Sequence, residues 1–173
     1  MISKLHFAAS LVLSYVLFYY LLYFDKISSV LVSLIIAGFS SIPDFDWKIY
    51  SWSNKQLILM NKNRLLKYIL FPYYVFVLLT HRIFRHRTTT HSAFFVIILV
   101  ILGYLLSPIF YLIALATLLH IIEDLFTISG VPLFYPLSKK MYKIPIINTR
   151  KHVREQTVLV YLLYLLFIIM LLS

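Results

Sequence analysis

An all-α, polytopic membrane helix bundle is the fold class this sequence predicts, and three observations predict it. Of 173 residues, 62% are hydrophobic and 13% charged, with a mean hydropathy of +0.91, far outside soluble globular composition. Apolar runs recur at lengths near the roughly 20 residues that a helix needs to cross a hydrocarbon core of about 30 Å. The bases gather in a few segments between those runs, as cytoplasmic loops do. The expectation is a single integral membrane domain over residues 1–173, with about five spanning helices and one re-entrant or interfacial helix. Such a chain has no room for a separate soluble catalytic domain. It has no cysteine, which removes disulfides and thiolate metal sites. A net charge of +10 fits loops lying beside anionic lipid better than nucleic-acid binding.

The elements follow in order. Met1 to Lys4 is weakly basic, and the apolar run from Phe7 to Phe24 continues without a small-residue cleavage site, so it reads as the first span rather than a signal peptide. Asp25-Lys26 breaks the run, and Ile27 to Ile42 makes the second arm of a hairpin. Asp44 to Lys67 is polar and basic with two tryptophans, and is expected to be a surface loop at headgroup level. Leu65 to Thr80 is apolar but interrupted by Lys67 and Pro72. Were it to cross, strongly basic segments would face opposite compartments, so it is expected to be re-entrant or interfacial. No charge falls between Ala93 and Leu119, and Ser107-Pro108 should break that stretch into two helices. Gly130, Pro132 and Pro136 open a basic loop, and Thr157 to Leu172 is the last span. With Lys26 alone on the far side, Lys4 and both large basic segments point to a multi-pass protein of the cell membrane with a cytoplasmic N-terminus.

Five of the six carboxylates fall in small groups: Asp44 with Asp46, Glu123 with Asp124, and Glu155. Ionisable groups in membrane helices are costly and commonly functional. His120 and Asp124 stand at i and i+4 within an otherwise apolar run, the spacing that puts two ligands of one ion on one helix face. The plainer reading is a helix-end histidine paired with a carboxylate. His86 and His91 bracket a hydroxyl-rich turn that can supply ligands, and could equally be a solvated basic loop. Asp44 and Asp46 offer hard oxygen donors, alone a weak signal, as is a lone His6. Topology joins them: with a hairpin at Ser107-Pro108, all these groups lie at one membrane face. As one straight helix, His91 to His120 would span about 43 Å and share no site.

Read in order, His6, Ile42-Pro43-Asp44-Phe45-Asp46, His86-Arg87-x-x-Thr90-His91-Ser92 and His120-x-x-x-Asp124-x-x-Thr127-x-x-Gly130-Val131-Pro132-Leu133 resemble the YdjM family over nearly the whole chain. That resemblance implies a membrane-bound metal-dependent hydrolase, distantly similar to zinc-dependent phospholipase C and zinc nucleases. Glu155 resembles an acidic position in the family's last block. Thr88 stands where the family usually has glycine, and Trp47 where it often has histidine. Neither departure removes a proposed ligand.

The expected metal ligands are therefore His6, Asp44, Asp46, His86, His91, His120 and Asp124. They exceed the needs of one four-coordinate ion, so two or more divalent ions are expected, zinc ahead of manganese or iron. Glu123 or Glu155 would act as general base or orient a ligand, and Arg87 would hold a phosphate oxygen. The expected partners are membrane lipids and a lipid or isoprenoid phosphate as substrate, with no nucleic acid. The alternatives are a structural or regulatory protein with a helix-tying metal site, and a small ion transporter.

Overall fold

The structure is a computed structural model that describes residues 3–84, 89–149 and 151–173. Its regular structure is helical, and among the described residues there is no strand beyond two isolated bridges. Helix α1, Ser3–Tyr15, widens into a π-helix over Val16–Leu21. Asp25 then caps α2, Lys26–Phe39, by accepting a hydrogen bond from the Ser28 amide at 2.9 Å, which satisfies one of the orphan donors of a helix start. Next come α3 (Phe45–Lys62), α4 (Arg64–Ile69) and α5 (Phe71–Ile83), then the antiparallel pair α6 (Ala93–Leu105) and α7 (Ile109–Leu125). The chain ends in α8, Val153–Leu172.

The break between α6 and α7 falls at residues 106–108, where proline removes a donor and excludes the helical conformation from the residue before it. Residues 44–67 depart from the expected surface loop: they form α3 and α4. The reason lies in which face is buried. Asp46, Ser53 and Met60 make the buried stripe of α3 while Phe45, Trp52 and Leu59 stand outward, so the usual inference from an apolar stripe finds no helix there. Residues 65–80 are helical as well, split between α4 and α5, and α5 packs along α3.

Helix α1 is the centre of the bundle, packed against α2, α7 and α8, while α2 and α6 flank α7. Leu11, Val12, Tyr15, Ala37 and Phe167 form its main apolar core. At one end Lys26 Nζ donates to the Leu171 carbonyl at 3.0 Å, so the starts of α2 and the end of α8 lie together. At the other end are His6, Ser40 and His120. Two helices, Ser3–Leu21 and Val153–Leu172, have the length and apolarity to cross a membrane by themselves; Lys26–Phe39 and Ala93–Leu105 are apolar but shorter. The outer face of α8, with Leu162, Leu165, Ile168 and Leu172 exposed, is the surface a hydrocarbon solvent requires.

The segment between α7 and α8 closes over the end of α7. Val131 pairs with Tyr142 in both directions at 2.9 Å, and the Ala93 amide at the start of α6 donates to the Leu133 carbonyl at 2.8 Å. Gly130 makes this closure possible: its φ is +67°, and a Cβ there would come within 2.4 Å of the Tyr142 carbonyl oxygen, a conformation and a clearance available to glycine.

Candidate metal centre

Five side chains from four parts of the chain meet at one end of the bundle: His6 of α1, Asp44 at the start of α3, His91 just before α6, and His120 and Asp124 of α7. His6, His91, His120 and Asp124 are buried to 1% exposure or less, while the Asp44 side chain is 33% exposed.

Each histidine has its Nδ1 held by a partner outside the cluster. His120 Nδ1 donates to the Ser40 carbonyl at 2.7 Å, one of the carbonyls that the end of α2 leaves without a helical partner. His6 Nδ1 bonds the carboxylate of Glu123, which also accepts from Ser10 Oγ at 3.1 Å. His91 Nδ1 lies 3.0 Å from Thr90 Oγ1 and 3.5 Å from Asp46 Oδ2, and the Thr90 hydroxyl meets Asp46 Oδ2 at 3.0 Å. A proton fixed on Nδ1 leaves the Nε2 lone pair available, the usual outer arrangement around a ligating histidine.

Those three Nε2 atoms converge. His120 Nε2 lies 3.3 Å from His91 Nε2, and 3.7 and 3.9 Å from Asp44 Oδ1 and Asp124 Oδ2. His91 Nε2 is 3.8 Å from Asp44 Oδ1 and 3.7 Å from Asp124 Oδ2. His6 Nε2 is 3.6 Å from Asp124 Oδ1, its ring stacked on His120 at 3.9 Å. Metal bonds of about 2.0–2.1 Å in tetrahedral geometry put neighbouring ligand atoms about 3.3 Å apart, so these separations suit donors around a cation. Two lone pairs facing each other at 3.3 Å also require positive charge on or between them. His6 Nε2 is in addition a buried polar atom with no hydrogen-bond partner among the described residues, a cost that a ligand bond removes. The donors fall into two groups able to hold an ion, His6 with His120 and Asp124, and Asp44 with His91 and His120. They have His120 in common, and its one free nitrogen can serve one ion; Asp124, with Oδ1 toward His6 and Oδ2 toward His91 and His120, is the residue placed to bridge.

The electrostatics of Asp44 and His91 follow from the same contacts. Burial alone would raise the Asp44 carboxyl, but the hydrogen bond to His91 and the charges of His120 and His6 outweigh it and hold the group below its ordinary range. Burial likewise disfavours charged His91, yet its bonds to Asp44 and Asp46 outweigh that and raise it above the ordinary histidine value.

The expected ligands thus separate by role. His6, Asp44, His91, His120 and Asp124 point donors at one another, whereas Asp46 faces His91 Nδ1 and acts behind the cluster. Glu123 does the same for His6. Glu155 is not brought to the cluster: it is exposed in the first turn of α8. His86 and Arg87 lie outside the described residues. Sequence reasoning missed Ser10, whose spacing of four from His6 in an apolar helix was the available signal, and the Ser40 carbonyl, which no side-chain pattern could announce.

A helical bundle with a His3Asp2 cluster buried at one end is the class that fold and site define. The chain belongs to the YdjM inner membrane protein family, which matches it over residues 1–173. Among curated proteins and among solved structures, none matches it.

Proposed function

We propose that this protein is a membrane-bound, metal-dependent hydrolase that cleaves a phosphoester of a lipid or isoprenoid at the cytoplasmic face. The observation that carries the reading is the convergence of three Nε2 atoms on Asp44 and Asp124 while every Nδ1 is held from behind. Helices α1, α2, α6, α7 and α8 form the membrane part, with five crossings and the cluster end in the cytoplasm. Lys4 at that end and Lys26 at the other, with the basic residues of α3 and of the segment before α8 on the cluster side, support this orientation.

A divalent ion in the cluster would supply a Lewis acid for a phosphoryl oxygen and lower the pKa of a water, with zinc the first candidate and a bridged pair the arrangement that Asp124 favours. The chain's own groups keep the site in register: Glu123 and Asp46 hold His6 and His91 in the ligating tautomer, and Asp44, the donor reached from outside, marks the side of entry. Beside Ser40, a cavity of 390 Å³ with Lys4, Ser41 and Phe7 in its lining can take an anionic headgroup.

Purified in a mild detergent, the protein is expected to retain divalent metal in stoichiometric amount and to release phosphate from a lipid phosphate. Both properties should be lost in His120→Ala and Asp124→Ala; metal at full occupancy in both variants overturns the reading. The deep burial of four of the five donors favours a second reading, a metal that ties α1, α6 and α7 together, because closed sites are the structural ones. Retained metal with no turnover on any lipid phosphate would select it.

A further inference from the structure

We propose that the outer face of α3 is a binding surface for anionic phospholipid, so that the helix lies along the cytoplasmic leaflet. The inference needs the membrane but not the metal.

Residues seven apart on an α-helix drift by only about 20°, so heptad spacing draws ridges along it. Helix α3 carries three. Asp46, Ser53 and Met60 are buried against the protein. Lys48, Lys55 and Lys62 form an exposed ridge on the opposite side. Phe45, Trp52 and Leu59, exposed by 48%, 38% and 57%, form a third ridge next to the lysines, and exposed Trp47 and Ile58 flank them on the other side. A face built for water would not hold five large apolar side chains among its charges. One built for water on the lysines and hydrocarbon beside them would, because lysine stems can run along apolar surface while the ammonium reaches the headgroups.

Charge chooses the occupant. No acidic residue occurs between Asp46 and Glu123 in the sequence, and Asp46 is buried and engaged with Thr90. The three lysines therefore face outward with no exposed carboxylate on their own helix and none on α4 or α5 to neutralise them. A second copy of this chain would bring the same uncompensated lysines to the contact, whereas an anionic leaflet supplies the missing charge.

Trp47 and Trp52 are the two tryptophans of the chain, so fluorescence excited beyond the tyrosine absorption band reports on α3 alone. The 173-residue chain in zwitterionic mixed micelles is titrated with phosphatidylglycerol carrying brominated acyl chains, with brominated phosphatidylcholine as the comparison. Phosphatidylglycerol is expected to quench at lower mole fraction than phosphatidylcholine, and high salt should remove the difference. Each lysine at an anionic surface is worth about fivefold in affinity, so Lys48→Gln/Lys55→Gln/Lys62→Gln should raise the midpoint severalfold at least, with helicity by circular dichroism unchanged. The salt dependence of the unaltered protein tests the same point should the triple variant fail to fold. Equal quenching by the two lipids, a preference that survives the triple variant, or no quenching by either overturns the proposal, the last also being the result if another copy or protein covers the face. Metal content and phosphate release are read on the same samples, so failure here is distinguishable from failure of the hydrolase reading.

Discussion

Helices α7 and α3 each bury a stripe of polar residues, and they do opposite things with it. On α7, Thr117, His120 and Asp124 are buried at intervals of three and four, and two of them meet donors from α1, from the start of α3 and from the residues before α6. On α3, Asp46 alone reaches that cluster. One turn and two turns on, the stripe meets α5: Ser53 Oγ lies 3.2 Å from His81 Nδ1, and Tyr50 stacks on the same ring at 4.4 Å. Both helices thus seat a histidine against a hydroxyl or carbonyl from another helix, but only around His120 do further nitrogen and carboxylate donors close in. A buried polar stripe is therefore no evidence of a site; convergence of stripes from several helices is.

The largest expected effect contrasts the two histidines. His120→Ala should abolish stoichiometric metal binding measured by elemental analysis, while His81→Ala leaves it intact; equal losses would dissolve the distinction between the regions. Next come the residues behind the ligands. Glu123→Gln and Asp46→Asn should each weaken metal affinity about 10- to 100-fold, read by competition with a chelator, and Ser53→Ala, on the same stripe as Asp46, should not. If Asp46→Asn behaves like Ser53→Ala, the orienting role of Asp46 is wrong.

The pH dependence follows from the pair of Asp44 and His91. Asp44 is held below its ordinary value of 3.8, so its pairing stabilises the metal-free fold above that pH and is lost as pH falls through the lowered value. His91 is raised above 6.5, so its contribution is complete below that pH and is lost as pH rises through the raised value. The contribution of the Asp44–His91 pair to the metal-free fold should then be greatest between those two ordinary values, and metal, which needs neutral His91, should bind more tightly as pH climbs above 6.5. Thermal unfolding of the protein and of Asp44→Asn at several pH values, with and without chelator, checks this; a difference between the two that still grows above neutral pH without metal would refute the pairing.

The smallest expected effect separates two glycines. A Cβ on Gly103 would come within 2.8 Å of the Tyr111 ring where α6 meets α7, whereas nothing lies within 4 Å of one on Gly38. Gly103→Ala should cost about 1–3 kcal/mol, and Gly38→Ala should gain about 0.5–1 kcal/mol, compared as shifts in unfolding temperature in one detergent.

Much of the site was legible because the sequence is so poor in acids. In a chain with six carboxylates, five grouped near histidines, polar groups in apolar runs mark themselves, and Pro108 marks the turn that lets His91 and His120 meet. Helix α3 was illegible for the complementary reason: its exposed face mixes lysines with large apolar side chains while two of its three buried residues, Asp46 and Ser53, are polar, so hydropathy along the chain suggested a loop. Glu155 illustrates the limit of motif reading. Its position in the pattern drew it toward the cluster, yet the first turn of α8 leaves it exposed.

By itself the sequence determined the helical class, the break at Pro108 and the residue types available as donors, because apolar run length, proline chemistry and the cost of burying charge all act locally along the chain. Only the tertiary structure decided which atom of each donor faces the others. Whether Asp46 and Glu123 ligate or orient depends on which nitrogen of a histidine they meet, and that depends on distances of a few ångströms between helices far apart in sequence, which no spacing within one helix can specify.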